Sequence, residues 1–522
     1  MAVFDNVKDW LISSVAGVAE NWPWADSKLN AWAINNAVNA CPHRPHPWST
    51  VHDYVSWKSL TDQHWSARHL PAAYLPGLPK PDQLVAMFRR PDGVQRLSTK
   101  STCLFPAFAQ YLTDGFIRTR MPKGGEDDSV RRQNTSNHQI DLCTLYGRLE
   151  TQTLALRQLS SVHGQRGRLK SQMIGPEEYS PFLVDANSAV KAEFAILDIP
   201  LGFNDIPTAE LKAAIFATGG DRVNSAPQVA MMNTLFLREH NRLAGLIEKE
   251  NPAWDDEHVF QVARNIVIVL FIKIVVEEYI NHIIPYPFRL RADPSVAWNA
   301  PWNKPNWITT EFSLLYRWHS LIPDRLTWSG VDFPCDNTFL NNPLLLKAGL
   351  MDAFCSISEQ KAGELGAFNT AERFLQSVEL NAIKQGQACN LAPYASYREY
   401  AGLSVPQKFE DITSNKATVA FLKSVYKSPA EVDFYVGLFA EEPVQNSPLP
   451  PLILSMVAVD AFSQALTNPL LSEHVYNPGT FTSTGWDIIQ NTNSLQEILA
   501  RNSPVPIGNR TVGMTQKGWV RK

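Results

Sequence analysis

A chain of 522 residues with a formal net charge of -4, 44% hydrophobic and 19% charged residues can bury a large core. That balance excludes wholesale disorder, and the absence of a Lys/Arg block speaks against nucleic acid as the main partner. Six cysteines (Cys41, Cys103, Cys143, Cys335, Cys355, Cys389) lie far apart without a CxxC pair, so neither a disulfide framework nor a structural zinc site is expected.

In chain order, residues 1–45 read as short N-terminal amphipathic helices. Val3, Phe4, Val7, Trp10, Leu11, Val15 and Val18 fall at helical spacing, and Trp22, Trp24 and Trp32 follow. Such a helix either lies among lipid headgroups or packs on its own domain. Asp5, Asp9 and Glu20 replace the basic leader of a secretory signal, so the expected location is cytoplasmic, peripheral at a membrane. Residues 41–100 are rich in Pro, His and Trp and read as irregular.

From 101 onward helices dominate. Residues 228–249 place Val229, Met232, Leu235, Phe236, Leu243, Leu246 and Ile247 on one stripe. Residues 256–282 are apolar almost all round but carry Arg264, Asn265, Lys273, Glu277 and Glu278, which predicts a buried core helix rather than a membrane span. Further helices are predicted over 343–366, 369–387, 417–426, 430–440 and 452–467, with Pro- and Asn-rich loops over 283–308, 441–451 and 468–480. No repeat or linker interrupts this pattern. The expected fold is mainly α, one large helical domain over 46–522.

Several local patterns lead nowhere. Cys41, His43, His46 and His52 match no common zinc spacing, Glu239-His240 lacks the second His of HExxH, and Gly219-Gly220 belongs to no phosphate loop. The informative stretch is EFSLLYRWHSLIPD (311–324). Tyr316 and His319 are three residues apart, so on a helix they share a face. That His could bind haem iron through Nε2, and a Tyr beside the haem could yield an electron and a proton to become a radical. By spacing alone, such a pair is usually ordinary core packing with satisfied hydrogen bonds.

EFSLLYRWHSLIPD resembles the catalytic-helix signature of cyclooxygenases and related haem fatty-acid dioxygenases of the peroxidase–cyclooxygenase superfamily. HDYVSWKSLTDQHWSARHL (52–70), DLCTLYGRLETQTLALR (141–157), TLFLREHNRLA (234–244), IKIVVEEYI (272–280), LAPYASYREYAGL (391–403) and DAFSQAL (460–466) resemble further family segments in the same order. The resemblance implies a helical haem-peroxidase-like domain binding haem b, with Tyr316 as the radical tyrosine and His319 as the proximal iron ligand.

On the distal side, FPAFAQYLTDGF (105–116) supplies Gln110, but Asp114 stands where the superfamily has its distal His. An Asp could relay a proton between peroxide oxygens only if burial raised its pKa. GGDRVNSAP (219–227) brings Arg222 to the place where animal peroxidases carry an Arg, and an Arg222–Asp114 ion pair would accommodate the missing His. Ser225 replaces the ester-forming Glu of animal peroxidases, so no ester link to haem is expected there. Tyr435 in FYVGLF matches a tyrosine near the proximal haem side, and Ser463 matches the channel serine of cyclooxygenases. Met456, Leu454 and Phe462 would line an apolar tunnel, for which helix packing is an equal explanation. Arg44 is the available counterpart of the carboxylate-binding Arg, and the family's growth-factor-like module is expected to be missing.

The resemblance implies an oxidoreductase that inserts O2 into an unsaturated fatty acid, with a linear hydroperoxide as the expected product. Two other readings remain open: a haem peroxidase oxidising small electron donors, and a haem- or lipid-binding protein with reduced catalysis.

Overall fold

The computed structural model describes residues 23–39, 64–90, 93–304, 306–371 and 375–522. Eight helices position the site: α1 (Pro23–Asn39), α2 (Leu104–Thr113), α3 (Pro227–Glu250), α4 (Asp256–Ile274), α5 (Thr310–Leu315), α6 (Leu375–Ala388), α7 (Phe434–Ala440) and α8 (Pro451–Leu466). The strands among the described residues are short antiparallel pairs: Leu97–Thr102 with Lys361–Gly363, Gln172–Ile174 with Glu177–Tyr179, and Arg325–Trp328 with Val331–Pro334. The fold is therefore mainly α, and helix-on-helix packing supplies the core.

α3 and α4 form the centre, packed on each other. Pro227 opens α3 at its first turn, where its missing N–H costs nothing. Deep in α3, the fully buried Glu239 accepts hydrogen bonds from Arg242 (2.8 and 2.9 Å), from Arg501 (2.6 Å) and from Asn502 (2.6 Å). A carboxylate so surrounded is held below its usual pKa, because the guanidinium groups outweigh the cost of burial. α4 and its continuation to Ile283 are long and apolar enough to cross a membrane, yet 83% of the apolar window lies buried inside the protein. It is a core helix, as its interspersed charges predict.

Sequence periodicity misses three breaks. The 256–282 helix changes at Val275–Ile280 into a π-helical segment, a geometry with an extra residue per turn that is frequent at functional sites. The 343–366 stretch is not one helix: Gly349, at φ 74°, separates Pro343–Ala348 from Leu350–Glu359, and a strand follows at Lys361–Gly363. The third break falls between Tyr316 and His319. α1 lies against α8, burying Ile34 and Val38, while Trp302 Nε1 donates to Asn35 (2.8 Å) and Trp32 stays 46% exposed. The rest of the 1–45 segment lies outside the described residues.

Candidate active site

Tyr316 and His319 do not share one helix. Thr309 caps α5, its side chain accepting from Phe312 N (3.0 Å), and Glu311 ties the first turn down by accepting from His69 N (2.9 Å) and Tyr397 Oη (2.7 Å). The helix ends at Leu315. Tyr316 is its cap, Trp318 takes a non-helical conformation (φ -88°, ψ 45°), and His319–Leu321 form a separate 3-10 turn. Pro323 explains why that turn stops, since the residue before proline avoids the helical region. The earlier break is held by packing: the Trp318 ring stacks on Tyr316 (centroids 4.8 Å) and on Phe105 of α2 (5.4 Å).

Four consecutive residues of this turn each carry a buried polar atom without a hydrogen-bond partner: Tyr316 Oη, Arg317 Nε, Trp318 Nε1 and His319 Nδ1. Buried polar atoms are ordinarily satisfied, so four in a row mark a site shaped for something other than the chain itself. Around His319, Glu379 of α6 is 1% exposed, and its Oε1 lies 3.1 Å from His319 Nδ1, within ion-pair range though without hydrogen-bond geometry. Glu379 also accepts from Tyr435 Oη of α7 (2.5 Å) and Thr370 Oγ1 (3.1 Å). Tyr435, stacked on Phe88, thus reaches His319 through a carboxylate. A carboxylate beside Nδ1 leaves Nε2 for a metal, the usual outer-shell arrangement of ligating histidines.

Around Tyr316, Phe312 packs edge-on (4.8 Å), and Tyr279 of the π-helical segment brings its hydroxyl close enough to act on the Tyr316 ionisation. Burial drives the Tyr316 pKa above its ordinary value, Tyr279 opposes this, and the charge of Asp460 adds to it, so the phenol keeps its proton. Asp460 sits on α8 one turn before Ser463, whose Oγ donates to the Asp460 carbonyl (3.1 Å). Asp460 Oδ2 lies 2.9 Å from His69 Nε2, and His69 Nδ1 lies 3.2 Å from Tyr400 Oη. Met456, Phe462 and Ser463 are buried on the same helix, and Leu454 is half-buried. Arg44 lies outside the described residues.

Gln110, Asp114 and Arg222 also come together. Asp114 caps α2, Gln110 Nε2 donates to Ser225 Oγ (2.8 Å), and it reaches Asp114 Oδ2 only at 3.5 Å. Arg222 Nη1 lies 3.6 Å from Asp114 Oδ1 and donates to the Ile117 carbonyl (3.1 Å). Burial pushes the Asp114 carboxyl up to about 6, against the opposing pull of Arg222. Among the described residues, no group of three or more His, Cys, Asp or Glu could hold a metal ion. The Cys41, His43, His46 and His52 pattern lies outside the described residues. A metal here would need a ligand set that the cofactor itself largely supplies, as a porphyrin does, with one axial His. The residues present fit such a group.

A helical body that gathers a histidine–carboxylate pair, an arginine–aspartate pair and the Tyr316 phenol around one turn is the arrangement expected of the haem-peroxidase class of fold. A model of the animal haem peroxidase family matches residues 106–512. The chain belongs to that family, which uses haem iron. It is 29% identical over 476 residues to prostaglandin G/H synthase 1 of Mus musculus, covering 88% of this chain and 74% of that relative. It shares its fold with a variant of Oryza sativa fatty acid alpha-dioxygenase with palmitic acid (TM-score 0.69, 16% identity, 97% of this chain and 95% of that one). The same holds for peroxidase A of Dictyostelium discoideum (TM-score 0.66, 19% identity, 85% of this chain and 92% of that one).

Sequence reading missed Glu379, Tyr279, His69 and Asp460. Glu379 lies in none of the family-like segments; Tyr279, His69 and Asp460 lie in the segments 272–280, 52–70 and 460–466, but their place beside the site is recognised only by what folding brings together.

Proposed function

We propose that the protein is a haem-dependent dioxygenase that inserts O2 into an unsaturated fatty acid by way of a radical on Tyr316, giving a linear hydroperoxide. The observation that carries this reading is the Tyr316 hydroxyl: buried, protonated, with the Tyr279 hydroxyl as its polar neighbour, three residues from His319. Binding haem would not by itself require a phenol in that place.

His319 would hold the iron and Glu379 would orient the imidazole. Haem, when bound, supplies one-electron oxidising power drawn from a hydroperoxide. Asp114 takes the proton from the incoming peroxide and returns it to the leaving oxygen, while Arg222 and Gln110 orient the peroxide. Tyr316 gives up its phenolic hydrogen as a proton and an electron. The phenoxyl then takes a hydrogen atom from an allylic C–H, O2 adds to the carbon radical, and the peroxyl radical recovers the hydrogen from Tyr316. The α8 side chains Met456, Phe462 and Ser463 are assigned to the acyl chain, where positioning one C–H and excluding water is the protein's contribution. Ser225 offers a hydroxyl, not a carboxylate, so haem b stays without an ester link at that position.

The test is an O2-electrode trace with a panel of unsaturated fatty acids, with products analysed by position and stereochemistry. Rapid lipid-dependent O2 uptake is the expected result. Peroxide-driven dye oxidation without such uptake would replace this reading with a small-donor peroxidase, and a haem spectrum with neither activity would leave a binding protein.

A pH dependence follows from Asp114. Below about pH 6 its carboxyl is protonated and cannot accept the peroxide proton; above that value it is ionised and can. Hydroperoxide consumption should therefore rise through pH 6 and level off. Asp114→Asn should flatten that profile and lower the plateau by roughly a hundredfold or more, as loss of a general acid–base does. An unchanged inflection in stopped-flow traces of the variant would assign the titration elsewhere.

A further inference from the structure

Arg317, between Tyr316 and His319, is half-buried with its Nε fully enclosed, and its guanidinium has no anionic partner. Its Nη2 donates to Ser313 Oγ (3.0 Å) and reaches Thr119 Oγ1 only at 3.5 Å, while Nε has no partner. The charged and titratable groups that act on it come from both sides of the site: Arg222 and Asp114 from one, Tyr435 and Glu379 from the other. Both carboxylates are already engaged. Asp114 faces Arg222 and Gln110, and Glu379 faces Tyr435, Thr370 and His319. A guanidinium stays charged at neutral pH.

Leaving a buried cation uncompensated is strongly unfavourable, and a planar guanidinium is suited to a bidentate carboxylate. Haem b carries two propionate carboxylates on one edge. We propose that Arg317 receives a haem propionate, making it a cofactor-binding residue that pairs with the porphyrin's charge while His319 takes its iron. This assignment rests on the haem reading above.

The experiment is a Soret titration of full-length protein freed of haem, using haem and haem dimethyl ester, whose carboxylates are blocked. The proteins compared are wild type, Arg317→Lys and Arg317→Gln. Wild type is expected to prefer haem over the ester by about tenfold or more, the range of a charge-assisted hydrogen-bonded pair. Arg317→Gln should lose that preference by weakening for haem alone, and Arg317→Lys should keep part of it. Equal weakening of Arg317→Gln for both porphyrins, or no change for either, overturns the assignment while leaving the haem reading intact. A wild-type protein that takes up neither porphyrin overturns the haem reading and the Arg317 assignment with it.

Discussion

Tyr316→Phe is expected to bind haem with an unaltered Soret band and to consume hydroperoxide, yet to lose fatty-acid-dependent O2 uptake by at least about a hundredfold. The substitution removes one oxygen atom. The polar neighbour it gives up is the Tyr279 hydroxyl, and the ring contacts with Phe312 and Trp318 survive in phenylalanine, so the structural cost is small beside the chemical one. The two activities therefore separate in a single variant: the Asp114–Arg222 side keeps its peroxide chemistry while the C–H step has no hydrogen acceptor. Oxygen-electrode and peroxide assays on the same preparation check it, and normal O2 uptake would sink the radical mechanism.

His319→Ala should be more drastic in a different way, because it removes the proposed axial ligand. Changes to the shell around a ligating His already cost about 10–100-fold in metal affinity, so losing the ring itself should cost more than about a hundredfold and abolish the normal haem spectrum. Removing the imidazole also frees Glu379 Oε1, which still accepts from Thr370. The polypeptide should therefore stay folded, and circular dichroism beside the Soret titration would show lost haem with retained helix. A His319→Ala protein with wild-type haem uptake would place the iron on another residue.

The helices from 228 onward and the Tyr316–His319 pair were legible because each depends on near neighbours in sequence. Apolar periodicity marks α3 and α8, and a short motif marks the pair. The break between Tyr316 and His319 was not legible, since no glycine or proline stands there. It is imposed by Trp318 stacking on Phe105, more than 200 positions earlier in the chain. The same physics hid Glu379, which meets His319 from α6, and the His69–Asp460 contact, which joins positions 391 apart. Buried polar partners brought together over such spans leave no local pattern. By contrast, the Gln110, Asp114 and Arg222 grouping could be read because the resemblance named each position separately.

The π-helical segment Val275–Ile280 also bears on how this chain could change over time. An α-helix advances about 100° per residue, so a segment holding one extra residue can be converted to ordinary helix by a single deletion. Deleting one residue there would let the segment close into ordinary helix, so α4 before it and the Asn281–Ile283 turn after it would keep their orientation, while Tyr279 inside it would be re-aimed. Tyr279 would leave Tyr316, while His282, whose Nε2 lies 2.9 Å from Ser101 Oγ and whose ring packs on Phe105, would keep its pocket. Point substitutions in this stretch should be tolerated more readily than any change in its length, which makes the spacing between Ile274 and Asn281 the quantity under constraint.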